Sequence, residues 1–381
     1  MPLLIVLSVV VVSGVAVVLQ PGQLIWLTPS PNAVVSGPIA VDVRVPPGAT
    51  WVTFQADGLM VDAAVEAGRA HTSVDPNKPT GGPLTLTAVA RDARGAEVGR
   101  ATQVVLVIKP APRQAPGEDP VLVGAGDIAS CHGTGDEQTV LLLDTIAGTV
   151  FTLGDNAYES GTAVEFADCY GPSWGRHLAR TRPTPGNHDY RTAGAAGYFA
   201  YFGDRAGASA SGYYSYDIGA WHVVVLNSNC VEASGCDVGS PQLDWLRHDL
   251  DAHPTRCTLA YWHHPRFSSG RHGDNAFMQP IWSLLVDYGV DLALTGHDHD
   301  YERFAPLNAA GQVDPNGMRQ FVVGTGGRSL RPVVAALPGS EVRSGDAYGV
   351  LKLTLHPDGY DWAFIPVAGA TFTDAGSGRC H

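Results

Sequence analysis

After residue 120 the chain repeats one rhythm: a short apolar run, then a glycine or polar loop, with helical stretches between. The runs are Val121–Ala125, Thr149–Leu153, Trp221–Leu226, Cys257–Trp262, Asp291–Leu294 and Phe321–Val323, and their length and apolar character fit buried strands. Strands alternating with helices such as Glu137–Ile146 predict an α/β domain with a largely parallel central sheet. This constrains the rest, because in such sheets chemistry gathers at the carboxyl ends of the strands. The tail from Gly349 to Val367 reads as a hairpin turning at Pro357-Asp358-Gly359.

The polar residues at those ends are, in order, Asp127, Asp155 with Tyr158, Asn187 with His188, His263, and His297 with His299. One Asp after a Gly is ordinary turn chemistry. A whole series of junctions ending in metal-ligand types is not. Carboxylate, amide oxygen, imidazole and phenolate together suit hard or borderline first-row cations, and a shared carboxylate can hold two of them roughly 3.5–4 Å apart. Such a pair clamps a phosphoryl oxygen and turns a water into hydroxide at accessible pH. These donors are too many for one tetrahedral structural ion.

Charge points the same way. Acids outnumber bases 37 to 24, a net charge of -13, and no basic stripe is present for a nucleic-acid backbone. A phosphate substrate would have to be drawn in by metals. Gly124-x-Gly126-x-x-Ala129 mimics a dinucleotide fingerprint, but the loop-like Ser130-Cys131-His132-Gly133-Thr134-Gly135 stands where a helix should open, so no nucleotide cofactor is expected.

The blocks Gly126-Asp127, Gly154-Asp155-Asn156-Ala157-Tyr158, Gly186-Asn187-His188-Asp189, His263-His264-Pro265 and Gly296-His297-Asp298-His299 resemble the five motifs of the calcineurin-like metallophosphoesterases. The tyrosine three residues after the second aspartate is similar to the purple acid phosphatase branch. The resemblance covers about residues 120 to 325 and implies a metallophosphoesterase β-sheet sandwich flanked by helices. It implies that Asp155 bridges two metals. One, Fe(III), would be held by Asp127, Tyr158 and His299; the other, a divalent Fe, Zn or Mn, by Asn187, His263 and His297. Many other members of the superfamily have Asp-x-His in the first block. Here Ala129 stands at the histidine position, and Tyr158 would replace the missing imidazole. His188 is similar to the family's histidine on the substrate phosphate, and His272 sits about where the family keeps a substrate-binding or leaving-group acid. The expected activity is hydrolysis of small phosphate monoesters by an exported enzyme. A phosphodiesterase or nucleotidase on the same core is the alternative, with selectivity in the loops Arg191–Ser211 and Phe267–Asn275. From a different class, the chain could be an adhesion protein with a vestigial hydrolase domain, but intact donors in every block count against that.

Elsewhere the chain reads more simply. Leu3–Leu19 is a nearly unbroken apolar run before Gln20-Pro21-Gly22, read as a signal peptide or membrane anchor over residues 1–20. Short alternating segments at Ile39–Val45, Trp51–Phe54, Leu84–Thr87 and Val104–Ile108 predict an all-β immunoglobulin-like sandwich over 23–109. Pro-rich residues 110–120 read as a linker, and 121–381 as the catalytic domain. The even set of cysteines suits disulfides in an exported protein, with Cys230 and Cys236 the best single pairing because they flank a short loop. Glu302 and Arg303 are expected to brace the last loop by an ion pair. His264 is left open between a ligand and a loop residue, and His132, His177, His222, His248, His253, His356 and His381 are given no chemical role. Oligomeric state is not readable.

Overall fold

The computed structural model describes residues 9–12, 15–18, 23–31, 33–35, 38–75, 82–107, 114–115, 117–207, 211–233 and 235–381. The chain separates into two compact units, Met1–Pro110 and Ala111–His381. Of the N-terminal apolar run, Val9–Val12 and Val15–Val18 pair as antiparallel strands, and the rest lies outside the described residues, as do Ile108 and parts of the Pro-rich segment. Among the described residues no helix is long and apolar enough to cross a membrane.

The first unit is all-β beyond that run. Alternation in its sequence becomes alternation in burial: Ile39, Val41 and Val43 point inward from the strand Ile39–Arg44, and Val52, Phe54 and Ala56 from Trp51–Ala56. One sheet runs in the order Val34–Val35, Glu97–Val107, Gly82–Arg91, Trp51–Ala56, Leu59–Ala64, and the other in the order Ile25–Thr28, Ile39–Arg44, Arg69–Val74. Their apolar residues form one core of valines, leucines and Phe54.

The second unit holds two mixed sheets rather than one central sheet. The first has Val121–Ala125 parallel to Thr149–Leu153, itself parallel to Thr181–Thr184, and on its other side the antiparallel series Gly349–His356, Gly359–Pro366 and Asp374–Arg379. The second has Trp221–Val225, Cys257–Tyr261, Leu292–Thr295 and Met318–Val323 as neighbouring parallel strands. Antiparallel Tyr214–Ile218 lies at one edge, and Tyr301–Leu307 with Ser340–Ser344 at the other. Residues of both sheets, among them Val123, Phe151, Tyr261, Leu294, Leu351 and Trp362, share one core. The opposite face of the second sheet is covered by the helices Pro241–Ala252 and Gln279–Asp287 through Leu246, Ile281 and Trp282.

The expected helix over 137–146 forms at Gly135–Leu143, and the expected tail hairpin forms with a third strand, Asp374–Arg379, added to it. Disulfides join Cys131 to Cys169, Cys230 to Cys236 and Cys257 to Cys380; the second is the pairing expected from the short loop. The expected ion pair of Glu302 with Arg303 does not form. Neighbours on a strand face opposite sides, so Glu302 accepts from Ser269 and Ser340 while Arg303 pairs with Asp374 and Glu341.

His222, given no role from sequence, ties Tyr214–Ile218 to the helix Pro241–Ala252. Its Nδ1 lies 2.8 Å from Asp217 Oδ1 and its Nε2 2.9 Å from Asp249 Oδ2. Burial opposes charging the ring, but the hydrogen bonds with Asp249 and Asp217 outweigh it and raise the pKa above 6.5. A group raised in the folded state stabilises fully below its unfolded pKa and loses that contribution as pH rises through the folded value. The thermal midpoint of the native chain should therefore exceed that of His222→Gln most near about pH 6, with the gap narrowing at higher pH. A gap that widens with pH would overturn this assignment.

Candidate metal centre

The ligand-type residues come from the carboxyl ends of both sheets. Asp127 follows Val121–Ala125, Asp155 follows Thr149–Leu153, and Asn187 follows Thr181–Thr184; His263 follows Cys257–Tyr261, and His297 and His299 follow Leu292–Thr295. Three of them take left-handed backbone that non-glycine residues rarely adopt, with φ of 58° at Asp127, 51° at Asp155 and 72° at His297. Such strain persists only where the surroundings over-determine it, and here it turns each strand end so that its side chain faces one point.

The seven predicted ligands converge as two groups about Asp155. On one side the Tyr158 hydroxyl donates to Asp127 Oδ1 at 2.8 Å, stands 3.0 Å from Asp155 Oδ2, and lies 3.3 Å from His299 Nε2. On the other side His263 Nε2 lies 3.0 Å from Asn187 Oδ1, 3.2 Å from His297 Nδ1 and 3.4 Å from Asp155 Oδ1. The two oxygens of Asp155 thus face different groups. Ligand bonds of ~2.0–2.2 Å set neighbouring donors of one ion roughly 2.8–3.5 Å apart, so the spacings and the donor types fit two cations sharing Asp155.

The outer nitrogens fix which lone pairs face inward. His263 Nδ1 lies 2.7 Å from the Leu153 carbonyl and His299 Nδ1 2.8 Å from that of Ser329. Each Nδ1–H donates outward and turns Nε2 inward, the usual support for a metal-binding imidazole; that Nε2 is a free acceptor in His299 and would become one in His263 on loss of its proton to a metal. Burial lowers the pKa of His299 to about 4 and, with His263 adding to it, drives His297 far down. Neutral rings are the form that binds metal.

The carboxylates carry the opposite stress. Burial raises Asp127 to about 7. Burial also pushes on Asp155, but His263 and the His188 backbone N–H, 2.7 Å from Oδ1, hold it low. Burial and both carboxylates push the Tyr158 phenol far above 10. His263 is held against burial at about 9, first by Asp155, so in the bare protein one imidazolium is the positive charge among these acids.

His188 and His272 stand at the mouth, in a cavity of about 290 Å³ that also exposes Asp155, Tyr158, Asn187, His297 and His299. The ring of His188 lies 4.4 Å from that of Tyr158, and His272 lies 4.4 Å from His297. His264 stands close enough to His263 and His297 to offer a donor beside theirs; its Nδ1 is 2.9 Å from Ser228 Oγ, and its ring lies 4.4 Å from that of His297.

Sequence reasoning missed the residues that hold this arrangement. Asp189, raised to about 7 by burial and by Asp155, accepts from Gly186 N at 2.9 Å and from Asn156 Nδ2 at 3.0 Å, locking the second block to the third. Asp298, between the two histidines of its block, accepts from His272 N at 2.7 Å and Gly273 N at 3.2 Å, which ties down the loop carrying His272. Arg191, Arg328 and Arg331 also line the cavity. The acids lay inside quoted motifs, so their presence was visible but their partners were not. Arg191 opens a loop already named for selectivity, whereas Arg328 and Arg331 lie in a loop past the last motif that nothing marked.

Residues 117–301 match the family model for calcineurin-like phosphoesterase. Purple acid phosphatase 15 of Arabidopsis thaliana is 27% identical over 239 residues, covering 53% of this chain and 44% of the relative. Purple acid phosphatase 21 of the same plant is 30% identical over 222 residues, covering 51% of this chain and 50% of the relative. The chain thus spans half or less of the length of these relatives. Among solved structures, the purple acid phosphatase PPD1 from yellow lupin (Lupinus luteus) superposes with a TM-score of 0.54 at 17% identity, covering 90% of this chain and 72% of that one. GAP50, the anchor in the inner membrane complex of Plasmodium, superposes with a TM-score of 0.55 at 12% identity, covering 69% and 90%. These likenesses show the mixed α/β metallophosphoesterase fold. The matched segment is similar to the calcineurin-like phosphoesterases. The curated relatives it resembles there are purple acid phosphatases.

One glycine packs directly against Asp155. A Cβ on Gly186 would come within 2.2 Å of both the backbone nitrogen and Oδ1 of Asp155. Overpacking against rigid backbone costs about 1–3 kcal/mol. Gly186→Ala should lose stability of that order in chemical denaturation; wild-type stability would show that the loop can yield.

Proposed function

We propose that the second unit is a metal-dependent hydrolase of small phosphate monoesters, working outside the cytoplasm on a dinuclear centre. The carrying observation is that Asp155 presents Oδ2 to Tyr158 at 3.0 Å and Oδ1 to His263 at 3.4 Å, each oxygen within its own set of donors. In this reading Asp127, Tyr158 and His299 hold one cation, Fe(III) being the one a phenolate suits. Asn187, His263 and His297 hold a divalent Fe, Zn or Mn. Bound there, the pair would polarise phosphoryl oxygens and make a water acidic enough to attack at accessible pH.

The chain's own groups do the rest. Asp127, Asp155 and Tyr158 supply the negative charge that retains the cations. His188 and His272 face the cavity where the ester's oxygens must lie, and both are held in place, His188 by the Glu159 carbonyl 2.7 Å from its Nδ1 and His272 through its backbone N–H on Asp298. As water oxygen bonds to phosphorus the ester P–O bond breaks, and the leaving oxygen takes a proton from His272 or solvent.

Three disulfides support an exported protein. The first unit, two β-sheets around one core with no cluster of chemical groups noted in its sequence, is read as an immunoglobulin-like spacer. A phosphodiesterase or nucleotidase is the second reading. It is favoured by a further cavity of about 480 Å³ that borders Asn187 and Arg191 and is lined by Tyr190, Phe277 and His264, room for a larger ester. The ratio of activity on p-nitrophenyl phosphate to that on bis(p-nitrophenyl) phosphate separates the two.

Asp155→Ala should lose bound metal by elemental analysis and phosphatase activity together, by more than a hundredfold; full activity in this variant would refute the dinuclear reading. If a phenolate–iron bond is present, the purified protein absorbs visible light and Tyr158→Phe removes the band. A colourless, fully active zinc or manganese enzyme would overturn the iron assignment alone.

A further inference from the structure

We propose that His222, Asp249 and His253 form a site for a single divalent cation of the zinc type, separate from the centre about Asp155 and structural in role. His222 is the second residue of the strand Trp221–Val225, so it lies near the amino end of a strand whose neighbours run parallel to it. The residues about Asp155 follow carboxyl ends. Asp249 and His253 stand one turn apart at the end of the helix Pro241–Ala252, where residues at i and i+4 share a face.

Three donors meet there. One ligand atom from each of the three residues lies within 4.8 Å of the other two. His222 Nε2 is 2.9 Å from Asp249 Oδ2, the separation that bonds of ~2.0–2.2 Å to a shared ion produce. His253 Nδ1 is 3.6 Å from Asp249 Oδ1, and its ring stacks on that of His222 with centroids 4.3 Å apart. The side chains of His222 and Asp249 are 1% and 8% exposed, but that of His253 is 41% exposed. Its Nδ1 lies 2.8 Å from the Asp249 carbonyl, a hydrogen bond that a turn of the exposed ring releases as it closes the third bond. Two imidazoles and one carboxylate, with water completing a tetrahedron, suit zinc.

The surroundings already orient these donors. Asp217 pairs directly opposite His222 across the antiparallel strands, and its Oδ1 lies 2.8 Å from His222 Nδ1. That Nδ1–H donates to a carboxylate and aims Nε2 at the site, the arrangement that supports metal-bound histidines. Ser215 Oγ donates to Asp249 Oδ1 at 2.7 Å, which leaves Oδ2 for the ion. The carbonyl end of the helix adds partial negative charge.

Without a metal, a proton on Nε2 holds His222 to Asp249. On binding, that proton leaves to solvent and the ion bonds both Nε2 and Oδ2 in its place. The ion thereby clamps Trp221–Val225 to the helix and, through Asp217 and Ser215, the edge strand Tyr214–Ile218 as well. Edge strands are where a sheet is open to stray pairing, so a clamp at this place has a use.

The test is equilibrium dialysis of the full chain against zinc ion, with bound zinc counted by elemental analysis. Wild type should hold one zinc per chain more than His253→Ala, a change at a half-exposed position, and Asp155→Ala should keep that zinc. Asp217→Ala removes a side chain that is 65% exposed and does not touch the ion, yet it should weaken the same site about 10–100-fold. Equal zinc content and affinity in wild type and His253→Ala overturn the site. So does the loss of every zinc from folded Asp155→Ala, which would assign all the bound metal to the other centre.

Discussion

Two carboxylates each lie within 3.0 Å of one phenol hydroxyl at a point where Asp127 is 0% exposed, Asp155 1% and Tyr158 2%. Such an arrangement is costly, since like charges brought together in a low-dielectric interior repel strongly and lose their hydration. The bare chain answers with one raised imidazole, His263, and by pushing Asp127 and Tyr158 toward their neutral forms. Cations answer it better. The neutral inward-facing nitrogens of His297 and His299, which add no charge of their own, are what remains to complete their surroundings.

That constraint explains why the loops are held as they are. A site built to accept charge must be rigid before the charge arrives, or the acids would relax toward water. Asp189 and Asp298 supply the rigidity from behind. Each is fully buried and spends its oxygens on backbone N–H groups of the loops carrying Asn187 and His272. The left-handed backbone at Asp127, Asp155 and His297 is the strain that this support sustains. Because the converging residues come from both sheets, the packing of one sheet on the other sets the spacing across the centre. Phe151 and Tyr261, whose rings lie 6.0 Å apart, belong to two of the strands that deliver Asp155 and His263.

What was legible in the sequence follows from what is local. Apolar runs of a few residues ending at Gly or Asp announce strands and their carboxyl ends, so several strands and the residues that converge on Asp155 could be read directly. The topology was less legible. One largely parallel sheet was the natural inference from alternating strands and helices, yet nothing local says that Thr181–Thr184 stays with Val121–Ala125 while Cys257–Tyr261 joins a different sheet. Asp374–Arg379 has no apolar signature at all. It is a strand because glycines let it lie against Trp362 and Tyr360, where a Cβ at Gly376 or Gly378 would come within 2.4 or 2.3 Å. Pairwise roles were hidden for the same reason. Glu302 and Arg303 looked like partners by adjacency, and strand geometry sends them to opposite faces.

The arginine rim sharpens the difference between composition and placement. Net charge suggested that a phosphate would be repelled unless metals drew it in, and that inference concerned the chain as an average. Screening by salt removes most interactions beyond about 8–10 Å, so a ligand entering the cavity feels Arg191, Arg328 and Arg331 far more than acids spread over the rest of the surface. The acidic exterior and the cationic opening therefore do not oppose each other at the point of binding. Positive charge placed where the cavity opens lies directly over the donors that converge on Asp155.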